Sequence, residues 1–188
     1  MDIHSPRLVL KPMDSAFLRA TLERRPAAAL SVLAGFCVPE DWREEVDLAA
    51  LRLGDLQQDA AFAPWSLRAV VLREPELMIG HAGFHTVPAP EYLAAFAPTG
   101  VELGYAIYPA YRRRGYAREV LTALVRWAHV DCGVTQFVAS VQPHNAASSS
   151  LLCSTGFVRI ASFIDPVDGL EDVMRLDGDA LTRLVGGD

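Results

Sequence analysis

The sequence predicts an α/β (α+β) fold: a mixed, mostly antiparallel central sheet of six or seven strands, flanked by helices. Three observations carry this. Short β-rich runs follow one another between residues 66 and 108. The strongest amphipathic stretch of the chain lies between two apolar runs, so those two strands need a crossover and run parallel. Finally, 188 residues suit one domain with its own core, residues 1–188 together.

The elements follow in order. Residues 7–11 (Arg-Leu-Val-Leu-Lys) read as a short strand closed by Pro12. Asp14 or Ser15 caps a helix holding Phe17, Leu18 and Leu22, which Arg25-Pro26 breaks. Residues 27–33 are helical again, 37–42 a linker, and 44–58 an amphipathic helix with Val46, Leu48, Leu51 and Leu56 as apolar positions. Strands are expected at 66–73, 77–84 and 101–108. Gly80 and Gly83 mark a bulge or a close backbone approach in the second of these, and the prolines of 86–100 mark a loop. Residues 115–130 place Ala117, Val120, Leu121, Leu124, Val125 and Ala128 on one helical face, and Gly133 ends that helix. A strand at 135–141 precedes a short helix from Asn145 to about Cys153, which Gly156 ends. Residues 157–164 and 171–176 form a hairpin around Pro166-Val167-Asp168-Gly169, and the tail adds a turn or two of helix.

Composition narrows the function. Half of the residues are apolar and the formal net charge is −6. Phosphate neutralisation by Lys and Arg underlies nucleic-acid binding, so a chain this acidic is a poor general binder of nucleic acid, while a cationic acceptor such as an amine suits it. Cys37, Cys132 and Cys153 show neither a disulfide framework nor zinc spacing, and the latter two read as buried thiols in apolar helices. No run is long enough to span a bilayer and no leader is visible, so the expectation is a cytoplasmic protein with no membrane partner and no metal. Monomer and homodimer both remain open.

The stretch that carries chemistry is Ile107-Tyr108-Pro109-Ala110-Tyr111-Arg112-Arg113-Arg114-Gly115-Tyr116-Ala117. A strand turns at Pro109, three arginines and a glycine follow, and the strongest helix begins. A helix start offers unpaired N–H groups and the positive end of the macrodipole, a combination that binds phosphate. Gly115 lets backbone approach an anion, and Ala117 is small. Without further context the arginines are equally a solvated charge run. The spacing of a dinucleotide fingerprint and the Gly-Lys-Ser/Thr of a P-loop are both absent.

Arg112-x-x-Gly115-x-Ala117 resembles the acyl-CoA signature of the GNAT superfamily of N-acetyltransferases. Glu102-Leu103-Gly104-Tyr105, Asn145-x-x-Ser148, Leu151-Leu152, Gly156-Phe157 and residues 6–12 extend the likeness to about residues 7–176, towards the branch that acetylates ribosomal-protein alanines. The resemblance implies a GNAT fold with a splayed parallel pair, acetyl-CoA as cosubstrate, and direct attack of a primary amine on the thioester. The acceptor would be a small-molecule amine or a protein N-terminus. Arg112, Arg113, Arg114, Gly115, Tyr116, Ala117 and Arg118 would surround the pyrophosphate, chiefly through backbone amides. Tyr105, Ala106 and Ile107 would pair with the pantetheine arm, and Asn145 would bond it, unless Asn145 is simply a helix cap. Catalysis would use Glu102 as the base that deprotonates the ammonium and Ser148 as proton donor to the thiolate. The family tyrosine seven residues after the asparagine is replaced by Leu152. The acyl group is taken as acetyl.

Other residues read more plainly. His85 suits a partly buried structural histidine better than a second base, and His144 a loop. Trp42 and Trp65 suit core packing better than an acceptor wall, while Trp127, off the main stripe, covers a neighbouring element. The alternative from another class is a non-catalytic acyl-CoA-binding sensor or scaffold.

Overall fold

The computed structural model describes residues 1–167 and 169–187. Its strands are β1 (Ile3–His4), β2 (Leu8–Pro12), β3 (Arg68–Leu72), β4 (Met78–Phe84), β5 (Val101–Ile107), β6 (Phe137–Val141), β7 (Val158–Asp165) and β8 (Gly169–Leu176). Its α-helices are α1 (Ser15–Leu22), α2 (Ala27–Ala34), α3 (Val46–Gln58), α4 (Tyr116–Cys132), α5 (Ala146–Ser154) and α6 (Gly178–Gly186). The hydrogen-bonded order is β1-β2-β3-β4-β5-β6-β8-β7. Pairs β1–β2, β2–β3, β3–β4, β6–β8 and β7–β8 are antiparallel, and β5–β6 is parallel, as the crossover requires.

Among the described residues the sheet has eight strands, not six or seven. The extra one is β1, where Ile3 registers with Leu10 and His4 with Val9. Two residues are too short for an alternation pattern to be seen in sequence. The turn between β7 and β8 was expected around Asp168, which lies outside the described residues.

The chain divides into two compact units, residues 1–83 with 105–120, and residues 84–104 with the chain from 121 onward. In the first, Phe17, Leu18, Leu30, Phe36, Ala49 and Leu53 pack around Trp42 against β3 and β4. Trp42 is fully buried and donates its indole N–H to the Thr21 hydroxyl at 2.9 Å, so it belongs to the core. Asp14 caps α1 by accepting the Phe17 N–H. On α3 the buried face is Ala49, Arg52 and Leu53, with Leu48 and Leu56 packed beside it as expected, while Leu51 is exposed, contrary to expectation. Arg52 can be buried because it pairs with Asp55 at 2.8 Å. Gly83 is a close approach, since a Cβ there would meet the Ser66 carbonyl at 2.8 Å. A Cβ on Gly80 would overlap the Ala106 carbonyl. Both glycines therefore let strands pack where any side chain would force them apart.

In the second unit, Leu93, Ala97, Val138 and Val173 form one apolar cluster, and Trp127 covers Phe84 with ring centroids 5.9 Å apart. Gly133 ends α4 with φ +73°, a conformation that β-carbon sterics disfavour. All three cysteines are exposed, which corrects the reading of Cys132 and Cys153 as buried. Cys132 is the last residue of α4, beyond the buried stripe, and α5 buries Leu152 rather than its neighbour Cys153.

Candidate functional site

Two constellations hold the residues that the sequence singles out. The first is the turn into α4. After β5, a short 3-10 turn (Pro109–Tyr111) leads into the arginines. Arg113 has φ +61° and Gly115 φ +81°, so two left-handed residues flank Arg114. Alternating backbone of this kind turns successive N–H groups to one side and makes an anion-binding concavity. For Arg113 it is a sparsely populated conformation, which is held at some energetic cost. The first helical bond runs from the Glu119 N–H to the Gly115 carbonyl, so the N–H groups of Tyr116, Ala117 and Arg118 precede the ladder. Arg113, Arg114, Gly115 and Arg118 are exposed, and Tyr116 and Ala117 half-buried. The Arg112 side chain turns back, and its Nε donates to the Ile107 carbonyl at 2.8 Å. Its visible task is to brace the turn.

The second constellation is built around Glu102 on β5. This carboxylate is buried, with only 6 % of the residue exposed. Oε1 accepts the Ser140 hydroxyl at 2.6 Å, and Oε2 accepts the Tyr92 hydroxyl at 2.9 Å. His85 Nδ1 lies 3.3 Å from the same Oε2, and the His85 backbone N–H donates to the Glu102 carbonyl at 2.9 Å. Burial alone would raise the Glu102 pKa. The hydrogen bond and positive charge of His85, with the Ser140 and Tyr92 hydroxyls, outweigh it and hold the carboxyl at about 2. Glu102 is thus ionised at neutral pH but a weak proton acceptor.

The imidazole is placed differently. Its side chain is 41 % exposed. With Nδ1 facing the carboxylate, the ring's other nitrogen is Nε2. That nitrogen lies over Gly104, where a Cβ would stand only 2.9 Å from it. Glycine at 104 is what gives the ring this position.

The ladder between β5 and β6 registers Val101 with Phe137 and Glu102 with Val138. Beyond it, Gly104, Tyr105 and Ala106 are half-buried although β5 is an interior strand, and Ile107 is buried again. Asn145 caps α5: its Oδ1 accepts the Ser148 N–H at 3.1 Å, and Ser149 Oγ donates to its carbonyl. A cap uses the carboxamide oxygen and leaves the Nδ2 donors for another partner. Ser148 is half-buried. Leu152 is 1 % exposed and part of the core, so its position offers no hydroxyl.

Sequence reasoning missed Tyr92 and Ser140. Ser140 did carry a clue, as the lone hydroxyl in an otherwise apolar strand. Tyr92 stands in the proline-rich loop without one. Among the described residues no cluster of His, Cys, Asp or Glu has the arrangement of a metal site, and no helix is long and apolar enough to cross a membrane.

Comparison with known proteins bears on the family and the fold. Residues 7–158 match the family described as Acetyltransferase (GNAT) domain. FsC-acetyl coenzyme A-N(2)-transacetylase of Aspergillus fumigatus is 22% identical over 166 residues, 88% of this chain and 68% of that protein. The chain spans about half the length of two further relatives that it matches. A GNAT-family acetyltransferase structure from Bordetella pertussis superimposes with a TM-score of 0.66 at 22% identity, covering 93% of this chain and 98% of that one. The ribosomal-protein-S5-alanine acetyltransferase structure of Vibrio fischeri gives 0.62 at 14% identity, covering 95% and 97%. At these identities the two structures speak for the fold.

Proposed function

The chain belongs to the Acetyltransferase (GNAT) domain family, an acyl-transferring enzyme family, and from that premise we propose that it transfers an acetyl group from acetyl-CoA to a primary amine, with His85, held by Glu102, as the group that removes the amine's proton. The carrying observation is the Glu102–His85 pair, in which a buried, triply bonded carboxylate orients an imidazole whose second nitrogen lies over the glycine of β5. The Glu102 carboxylate is covered by its hydroxyl partners, whereas the His85 imidazole is exposed to an incoming amine. Glu102 keeps its place in the mechanism as the orienting anion that stabilises the imidazolium once it forms.

The remaining roles follow the same reading. The left-handed residues Arg113 and Gly115 and the amides of residues 113–118 fit a diphosphate, and half-buried Tyr105 and Ala106, with Ile107 beside them, suit the amides of the pantetheine arm as an added strand would. Asn145 would bond that arm through Nδ2. In the reaction, an ammonium proton passes to His85 Nε2. The amine lone pair then attacks the thioester carbon, and a main-chain N–H of β5 near Ile107 stabilises the oxyanion. The C–S bond breaks, the attacking nitrogen gives up its second proton, and the thiolate takes up that proton through the Ser148 hydroxyl or through solvent. The acceptor class is a primary amine, either a protein N-terminus or a small amine. The chain's net charge of −6 supports a cationic acceptor.

The test is release of CoA from acetyl-CoA with a panel of N-terminal peptides, polyamines and monoamines. Turnover with at least one amine is expected, and it should fall steeply in His85→Ala with the KM for acetyl-CoA retained. Acetyl-CoA binding without CoA release from any amine would favour a sensor instead.

A further inference from the structure

We propose that Arg7 and Glu119 form a latch that holds the turn at residues 112–115 in its diphosphate-binding conformation. This rests on the reading of that turn as the donor's diphosphate site. Glu119, in the first turn of α4, is engaged from three sides. Its Oε1 accepts the Arg7 backbone N–H and the Ser5 hydroxyl, each at 2.7 Å, and its Oε2 accepts Arg7 Nε at 2.7 Å. Burial works to raise its pKa, but the Arg7 N–H, the Ser5 hydroxyl and the Arg7 guanidinium together bring it below the usual value.

So anchored, the guanidinium meets three consecutive residues of the turn. Its Nη1 donates to the Arg114 carbonyl at 3.0 Å. A Cβ on Gly115 would lie 3.4 Å from Nη2. The guanidinium carbon stands 4.5 Å over the Tyr116 ring. The carbonyl contact is decisive. A trans peptide is planar, so its C=O and the next N–H point in opposite directions. Fixing the Arg114 carbonyl towards Arg7 therefore fixes the Gly115 N–H away from Arg7. A flip of that peptide, which glycine permits, would present a carbonyl to the diphosphate in place of a donor. Arg7 acts through the peptide and need not touch the ligand. Its charge is paired by Glu119, so general attraction for phosphate is not its contribution.

Arg7 is thus a positioning residue, and the test must isolate the diphosphate. The quantity to measure is the ratio of kcat/KM for acetyl-CoA to that for S-acetylpantetheine, which carries the thioester arm without a diphosphate. For Arg7→Ala the ratio should fall about tenfold. Arg7→Lys keeps the charge without the fork and should recover little of it. Glu119→Gln should fall in between. A general loss of folded protein lowers both donors together and leaves the ratio unchanged, so an unchanged ratio overturns the latch, as does full recovery by lysine. A wild-type enzyme that does not prefer the diphosphate-bearing donor would overturn the underlying reading as well.

Discussion

The turn into α4 and the Glu102 cluster are constructed in opposite ways. The turn is exposed and offers main-chain donors, set by two left-handed residues and a helix start. The Glu102 cluster is made of side chains, and its central carboxylate is buried beneath two hydroxyls and an imidazole. A backbone site tolerates most side-chain changes and is sensitive to the few that alter φ. A side-chain site is sensitive to every member. On the proposed reading, binding and proton transfer can therefore be broken separately.

The largest expected effect comes from removing the proton acceptor. His85→Ala should lower kcat by on the order of 10³-fold, with the KM for acetyl-CoA little changed. A drop in both parameters by the same factor would blur the comparison, and steady-state kinetics at varied acetyl-CoA decides it. Next comes Gly104→Ala. The added carbon would sit 2.9 Å from His85 Nε2, so the exposed ring must move while the strand stays. Turnover should fall by about 10²-fold with a nearly unchanged thermal midpoint. If turnover is unaffected, the position of Nε2 is not the working one.

On the other side, Gly115→Ala forces a β-carbon into φ +81°. It should raise the Kd for acetyl-CoA about tenfold, at a cost of roughly 1 kcal/mol in stability, and spare kcat at saturation. Unfolding in acid should show an effect on stability that is separate from turnover. The Glu102 carboxyl is held at about 2 against an ordinary 4.5. Its stabilisation is therefore complete above pH 4.5 and is lost as pH falls through about 2. The amount is on the order of 3 kcal/mol. Glu102→Gln should flatten that acid limb of a urea-unfolding series. A limb as steep as that of the parent chain would mean that other groups carry it.

What was legible in the sequence divides along the same line. The turn could be read because its parts are contiguous: Pro109 ends a strand, Arg112 to Gly115 follow, and a strongly periodic helix begins. The α4 stripe and the crossover that makes β5 and β6 parallel came from periodicity alone. The Glu102 cluster could be read only in part, because Tyr92, Ser140 and His85 come from three separate segments that long-range register brings together. Glu102 was visible as an acid on an apolar strand. Its hydrogen-bond partners were not, because sequence does not pair them. His85 looked structural for the same reason. The fate of the cysteines turned on helix rotation at the ends of α4 and α5, where periodicity is weakest.

The most direct test of the account is the rate of acetyl transfer to the best amine acceptor, measured alongside calorimetric binding of acetyl-CoA to the same samples. The account predicts tight binding in both the parent chain and His85→Ala. It also predicts that the variant's rate falls on the order of 10³-fold. A His85→Ala enzyme that retains its rate would contradict it.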